Sequence, residues 1–297
     1  MRKFKRNRMP DQKNSINFSL LEDPFLKKNS VEVIVMREDL KHPVTGGNKW
    51  RKLKYNIERA KAEKKTTLVT FGGAFSNHIA ATAFAGKENG FDTVGIIRGE
   101  AIHPLNITLK RAVDCGMKLI YMERTLYRDK AAALQTALKN HSIKNYYVIP
   151  EGGNNYEGFK GCAEITSAIN FDFKYICVPC GTGTTLAGIA FSLKEHQQAI
   201  GISVMKNNYS INENVKLFCN KPSSFTIFHD YHLGGYAKST AELNDFVKRF
   251  AELNKIETEP IYTGKMFFGI YELIKCGFFK KGDVIVAVHT GGMQYLG

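Results

Sequence analysis

Twice along this chain a short apolar run ends in glycines and small polar residues and then passes into a helix-forming stretch. Leu68–Phe71, with β-branched Val69, runs into Gly72-Gly73, and after Ser76-Asn77-His78 the segment Ile79–Gly86 is rich in alanine. Tyr175–Val178 runs into Gly181-Thr182-Gly183-Thr184-Thr185, and Leu186–Glu195 follows as a helix. A strand joined to a helix by so short a loop lays the helix back over its own sheet, so the next strand runs parallel. Further β-rich runs, Val31–Met36, Thr93–Ile97, Lys118–Tyr121, Tyr146–Ile149, Ile200–Val204 and Val284–Val288, alternate with helical patterns such as Leu105–Cys115, Asp129–Leu138 and Thr240–Leu253. The expectation is an α/β fold with mainly parallel sheets. No period of 20–50 residues suggests a solenoid, and 297 residues suffice for one large domain or two modest ones.

Charge raises a competing idea. The chain has 42 Lys/Arg against 28 Asp/Glu, a net +14, and residues 1–65 alone hold 18 of the former and 8 of the latter. Such a surplus is an electrostatic footprint for nucleic acid. It sits in the arm Met1–Arg8 and in Lys49–Lys65, with no reading module and no evident pattern of interleaved aromatic residues, so no nucleic-acid partner is expected. A basic RNA-binding protein without catalysis stays open as the alternative of a different class. Thr66–Gly86 and Tyr175–Leu193 are uncharged but broken by Gly, Ser, Thr, Asn or Pro, so no membrane span is expected. The N-terminus lacks the apolar segment of a secretory signal, and the six scattered cysteines read as thiols, which together point to the cytoplasm.

The loop Gly181–Thr185 is built for an anion. Small residues between a strand and a helix aim backbone N–H groups outward, the helix dipole adds to them, and three threonine hydroxyls can donate. The dinucleotide fingerprint fails, because Leu186 stands where its third glycine belongs. The triphosphate loop fails at Gly264-Lys265, which lacks the upstream glycine and is followed by Met266. One phosphate on a small cofactor fits better, and a tight turn without a ligand remains the plain alternative. Lys49, after Gly46-Gly47-Asn48, is either a surface charge or an amine desolvated in a glycine-lined cleft, where its lowered pKa makes it a nucleophile and base. A lysine plus a one-phosphate cradle is what pyridoxal 5'-phosphate requires. Cys177-Val178-Pro179-Cys180 is a weak redox signal inside a strand, and the histidines show no metal-ligand spacing, so no metal is expected.

Four segments together resemble the 1-aminocyclopropane-1-carboxylate deaminase / D-cysteine desulfhydrase family: Gly46-Gly47-Asn48-Lys49-Trp50-Arg51-Lys52-Leu53, Gly72-Gly73-Ala74-Phe75-Ser76-Asn77-His78, Pro150-Glu151-Gly152-Gly153-Asn154 and His289-Thr290-Gly291-Gly292. The resemblance implies a tryptophan-synthase-β-like (fold type II) pyridoxal enzyme with two lobes of three-layer open twisted sheets. The large cofactor-binding lobe would be residues 1–51 and 159–297, and the small lobe 52–158. It implies that Lys49 holds the cofactor as a Schiff base and serves as the base at Cα. Asn77 would bond the cofactor's phenolic oxygen, Gly181, Thr182, Gly183, Thr184 and Thr185 its phosphate, and Thr290 its ring. Ser76, Asn77, His78 and Thr263 would bind substrate. Tyr262, and less securely Tyr236, would stand beside the leaving group. A small amino acid as substrate and a homodimer are implied as well.

Thr263 and Thr290 follow the pattern of the desulfhydrase branch of that family, whose deaminases resemble one another in carrying Glu and Leu there. The resemblance therefore implies elimination from D-cysteine to pyruvate, ammonia and hydrogen sulfide, with 1-aminocyclopropane-1-carboxylate deamination to 2-oxobutyrate and ammonia as the alternative. Phe75, Ile79-Ala80-Ala81, the bulky Trp50 and the end at Met293–Gly297 depart from the family's usual pattern. Arg51, Lys52 and Lys54 are expected to attract an anionic cofactor and substrate.

Overall fold

The computed structural model describes residues 17–41, 47–101, 103–221 and 224–292. The arm Met1–Arg8, Thr45 and Gly46 of the lysine segment, and the tail Met293–Gly297 lie outside them. In chain order the elements are β1 (Phe18–Leu20), α1 (Pro24–Asn29), β2 (Glu32–Met36), α2 (Asn48–Ala62), β3 (Thr67–Gly73), α3 (Asn77–Glu88), β4 (Asp92–Arg98), α4 (Ile107–Asp114), β5 (Lys118–Met122), α5 (Arg124–Arg128), α6 (Lys130–Asn140), β6 (Tyr146–Ile149) and α7 (Tyr156–Ala163). There follow β7 (Tyr175–Cys180), α8 (Thr184–Phe191), β8 (Gln198–Ser203), α9 (Ser210–Phe218), β9 (Phe225–Phe228), α10 (Ala241–Asn254), α11 (Thr263–Lys275) and β10 (Val284–Val288).

The strands form two sheets. One has the order β1-β2-β10-β7-β8-β9, parallel except for β1, and the other is the all-parallel β5-β4-β3-β6. Central strands β3 and β7 are buried almost throughout, as their unbroken apolar runs require of parallel strands covered on both faces. Met266, Phe267, Ile270 and Leu273 of α11 cover one face of the larger sheet through Val33, Cys177, Ile202 and Ile285. Leu186, Ala187 and Ala190 of α8 cover the other through Ile176, Val178 and Val286. Around the smaller sheet, Ala133 and Ala137 of α6 lie on one face, with Leu53, Ile57, Ile79 and Leu109 of α2, α3 and α4 on the other. These are two three-layer α/β units, the open-sheet arrangement expected from the sequence.

Helix starts follow capping chemistry. Asn106, Asp129 and Thr240 accept from Leu109 N at 3.0 Å, Ala132 N at 3.0 Å and Leu243 N at 3.2 Å, so α4, α6 and α10 begin one residue after each. Helix α8 is shorter than its composition suggests, because Ser192 Oγ bonds back to the carbonyls of Gly188 and Ile189 and closes the last turn. No helix among the described residues is long and apolar enough to cross a membrane.

All strands of the smaller sheet lie between Thr67 and Ile149. Residues 51 and 158, where the lobe boundaries are expected, fall inside α2 and α7. Those helices touch backbone to backbone: a Cβ on Gly161 of α7 would lie 1.9 Å from the Arg51 carbonyl oxygen of α2. Gly161→Ala should therefore destabilise the protein by roughly 1–3 kcal/mol, the usual cost of overpacking. Denaturant titration checks this, and an unchanged midpoint would show that α2 and α7 can separate without cost.

Candidate active site

The carboxyl ends of β3, β4 and β7 and the residues after β8 and β10 open into one cleft of about 420 Å³, a size typical of small-molecule sites. Lys49 enters it from the first turn of α2. That turn can start here because Gly47 adopts φ 72° and lies against Thr290; a Cβ at Gly47 would be 2.0 Å from the Thr290 carbonyl oxygen. Lys49 Nζ donates to Asn48 Oδ1 at 2.9 Å, and Asn48 Nδ2 donates to Thr185 Oγ1 at 2.9 Å. One asparagine thus links the amine to the anion loop. Burial, with repulsion from Lys52 second, lowers the Lys49 pKa to about 7, so near neutrality a large fraction of the amine is unprotonated.

At the anion loop, Gly183 caps α8 with φ 88°, and a Cβ there would meet Val215 Cγ2 at 2.9 Å, so this turn demands glycine. Gly181, Thr182, Gly183 and Thr185 line the cleft. The Thr184 hydroxyl is buried and donates to Asn154 Oδ1 at 2.6 Å, which leaves its backbone N–H as its contribution at the helix start. Lys52 brings a second amine to the same end, its pKa lowered by burial: its Nζ donates to the Gly152 carbonyl at 2.9 Å, and a Cβ on Gly152 would touch Thr182.

Across the cleft, Ser76 precedes α3, whose first residues are Asn77 and His78. Ser76 and His78 line the cleft, while Asn77 Nδ2 lies 3.0 Å from where a Cβ on Gly292 would start. His78 Nε2 pairs with Thr70 Oγ1 at 2.9 Å, and burial together with the charges of Lys49 and Lys52 pushes its pKa down to about 3. Its ring is neutral at any ordinary pH, so it offers the site a backbone N–H rather than a proton relay.

Two tyrosines form the remaining wall. Lys49 Nζ lies 5.8 Å from the Tyr262 ring centroid, and the Tyr236 and Tyr262 rings meet edge to face at 6.0 Å. Tyr236 also donates its hydroxyl to the Phe75 carbonyl at 3.3 Å, tying the two walls together, while the Phe75 side chain is exposed. Thr263 does not line the cleft. It is fully buried, with its N–H and hydroxyl on Glu259 Oε1 at 2.7 and 3.2 Å, so its expected place beside substrate is replaced by one at the start of α11.

Several site residues gave no usable sequence signal. Glu259, fully buried, accepts from the N–H groups of Ile261, Tyr262 and Thr263 and so fixes Tyr262; burial raises its pKa to about 7. Lys265, also buried, donates to the Gly235 carbonyl at 2.6 Å and holds the Tyr236 loop. Glu38 pairs with Arg51 at 2.7 and 2.8 Å in the interior. Arg51 is therefore no attractor of anions, and Lys54 is engaged by Glu164 at 2.8 Å; of the three expected attractors only Lys52 faces the cleft. Cys177 and Cys180 are buried free thiols, with burial pushing Cys180 up to about 12, which removes the redox reading. Among the described residues no three His, Cys, Asp or Glu side chains cluster as metal ligands.

The family described as pyridoxal-phosphate dependent enzyme matches residues 18–291. A Thermotoga maritima protein named provisionally as a 1-aminocyclopropane-1-carboxylate deaminase is 30% identical, over 94% of this chain and 96% of its own length. The mitochondrial bifunctional D-cysteine desulfhydrase/1-aminocyclopropane-1-carboxylate deaminase of Arabidopsis thaliana is 30% identical over 89% of this chain and 73% of its own. The crystal structure of a 1-aminocyclopropane-1-carboxylate deaminase homologue superimposes with a TM-score of 0.82 at 25% identity, covering 94% of this chain and 90% of that one.

The placement of Lys52 makes a direct test of the anion end. Inorganic phosphate should bind the cofactor-free protein, weaken with added salt, and bind about tenfold less tightly to Lys52→Met, the value of a charge-assisted bond. Calorimetry reads all three, and equal affinity in the variant would place the anion elsewhere.

Proposed function

The chain belongs to the pyridoxal-phosphate dependent enzymes, and from that premise we propose that it is a carbon–sulfur lyase that converts D-cysteine to pyruvate, ammonia and hydrogen sulfide. The observation that carries this reading is the Lys49–Asn48–Thr185 chain, in which an amine of lowered pKa is bonded through one side chain to a helix-capping anion loop. The residues fit the cofactor: Lys49 for its aldehyde, Gly181 to Thr185 with Lys52 for its phosphate, Asn77 for its ring oxygen and Thr290 beside its ring. When bound, the cofactor supplies the electron sink that makes the α-proton of an amino acid removable.

The rest is done by side chains. Ser76 and the first turn of α3 orient the substrate carboxylate, aided by the helix dipole. Lys49, an amine of lowered pKa facing the cleft, takes the α-proton. Tyr262 and Tyr236 flank the departing group, and Tyr236 closes one wall against the other. A hydroxyl at Thr290, where the family's deaminases carry Leu, with Thr263 in place of their Glu, suits loss of a thiolate better than opening of a cyclopropane ring. Glu259 holds Tyr262 through main-chain bonds and is spent on them. Deamination of 1-aminocyclopropane-1-carboxylate is the second reading, supported by the activities in the Arabidopsis relative's name. The same proposal takes residues 1–51 and 159–297 as the large lobe, 52–158 as the small lobe, and a homodimer as the assembly, which sedimentation would measure.

Reconstitution with pyridoxal phosphate should give a yellow protein, and Lys49→Ala should stay colourless. Because the folded pKa of Lys49 is lowered from 10.5 to about 7, the reactive unprotonated amine grows as pH rises through 7, and the reconstitution rate should grow with it and level off above. A rate still climbing steeply above pH 9 would mean an ordinary lysine. In a screen of D-cysteine, L-cysteine, D-serine, β-chloro-D-alanine and 1-aminocyclopropane-1-carboxylate, pyruvate should come from D-cysteine. Release only of 2-oxobutyrate from the cyclopropane substrate would replace this reading by the second.

A further inference from the structure

Resting on that reading, we infer that Arg98 forms a second anion seat in the cleft and selects amino acids whose departing β-substituent is itself anionic, leaving as phosphate or thiosulfate. The argument begins with charge. Cations lining the cleft are Lys49, Lys52, Arg98 and Lys130, against the single carboxylate of Glu151. Lys49 is committed to the cofactor and Lys52 faces the phosphate loop. Lys130 is spent three times over: its Nζ lies 3.1 Å from Glu151 Oε2, donates to the Tyr127 carbonyl at 2.9 Å, and stands 3.4 Å over the Tyr127 ring. Among the described residues no ion pair to a carboxylate is found for Arg98, which is exposed and lines the cleft. A guanidinium presents five donors and suits planar or tetrahedral oxyanions.

Position completes it. Arg98 ends β4 directly beside Gly73, its register partner on β3, and its Nη2 stands 3.8 Å from where a side chain on Gly73 would begin. Gly73 opens the turn that carries Ser76, so the substrate carboxylate seat and Arg98 are neighbours on adjacent strands. The carboxylate has its own donors at the start of α3. Arg98 therefore serves a different anion, carried by the rest of the substrate. The net reaction balances without oxidant or reductant: the Cα–H and Cβ–X bonds break, the Cβ–X electron pair leaves with X, and water supplies the oxygen of pyruvate while nitrogen leaves as ammonium.

The test compares O-phosphoserine and S-sulfocysteine with neutral β-chloroalanine, in both Cα configurations, on the holoenzyme and on Arg98→Gln and Arg98→Lys. The ratio of kcat/KM for anionic over neutral substrate should fall about tenfold in Arg98→Gln, mainly through KM, and recover partly in Arg98→Lys. An unchanged ratio overturns the seat, as does an equal loss on both classes, which would place Arg98 at the α-carboxylate. If β-chloroalanine yields no pyruvate, the lyase reading fails separately. Calorimetric binding of O-phosphoserine then decides the seat: weaker binding to Arg98→Gln supports it, and no binding to the unaltered holoenzyme sinks it.

Discussion

Glu38 bonds the same helix start from two directions. Its backbone carbonyl accepts from Gly47 N at 2.8 Å, two residues before Lys49, and its carboxylate takes the Arg51 guanidinium two residues after. A buried bidentate pair recovers its desolvation cost only when both partners are well bonded, so its geometry is unforgiving, and breaking one costs roughly 3–5 kcal/mol. What it secures is location more than stability. With Gly47 against Thr290 and Asn48 on Thr185, the segment has little freedom left except in the Lys49 side chain. On the proposed reading, an amine that must meet an aldehyde at one place is thereby brought there before any cofactor arrives, which spares the entropy of a search.

The opposite wall is fixed by the same kind of interior charge. Glu259 ties the N–H groups around Tyr262, and Lys265, one turn along α11, ties the loop before Tyr236. Two tyrosines from distant parts of the chain then meet edge to face. Neither charged residue lines the cleft, yet both aromatic faces that do are placed through them. Buried ions are costly when unsatisfied, and here their bonds go to main chain, where they set backbone position directly.

Legibility followed the range of the forces involved. Strands β2 to β8 and β10, and the helices with caps at Asn106, Asp129 and Thr240, were readable because hydrophobic run length and capping are local. The edge strands β1 and β9 are too short and too half-exposed to show a pattern. Helix α11 is buried on nearly every side, so its apolar residues show no stripe and its period is hidden. The lysine segment, the anion loop and the Ser76 turn were visible as motifs. Glu38, Glu259, Lys265 and Arg98 were not, since each acquires meaning from a partner or a cavity that sequence order does not bring near. Arg51 reads as a surface cation in sequence for the same reason: its counter-charge lies 13 residues back in another element.

The basic composition also changes meaning once located. Most of the surplus says nothing about chemistry, but two lysines three residues apart on α2 divide the work within the cleft. Repulsion from Lys52 is the second cause, after burial, of the lowered Lys49 pKa, whereas Lys52 is lowered by burial alone. Both amines are thus pushed toward their neutral forms, and burial is the largest cause for each. The arrangement sets the state of both amines by burial and proximity rather than by residue type. It also couples them: an anion arriving at Lys52 offsets the repulsion on Lys49 and draws its proton affinity upward. On the proposed reading, the amine is at its most reactive before an anion is fully seated, which favours capture of an incoming aldehyde over prolonged exposure of a free base.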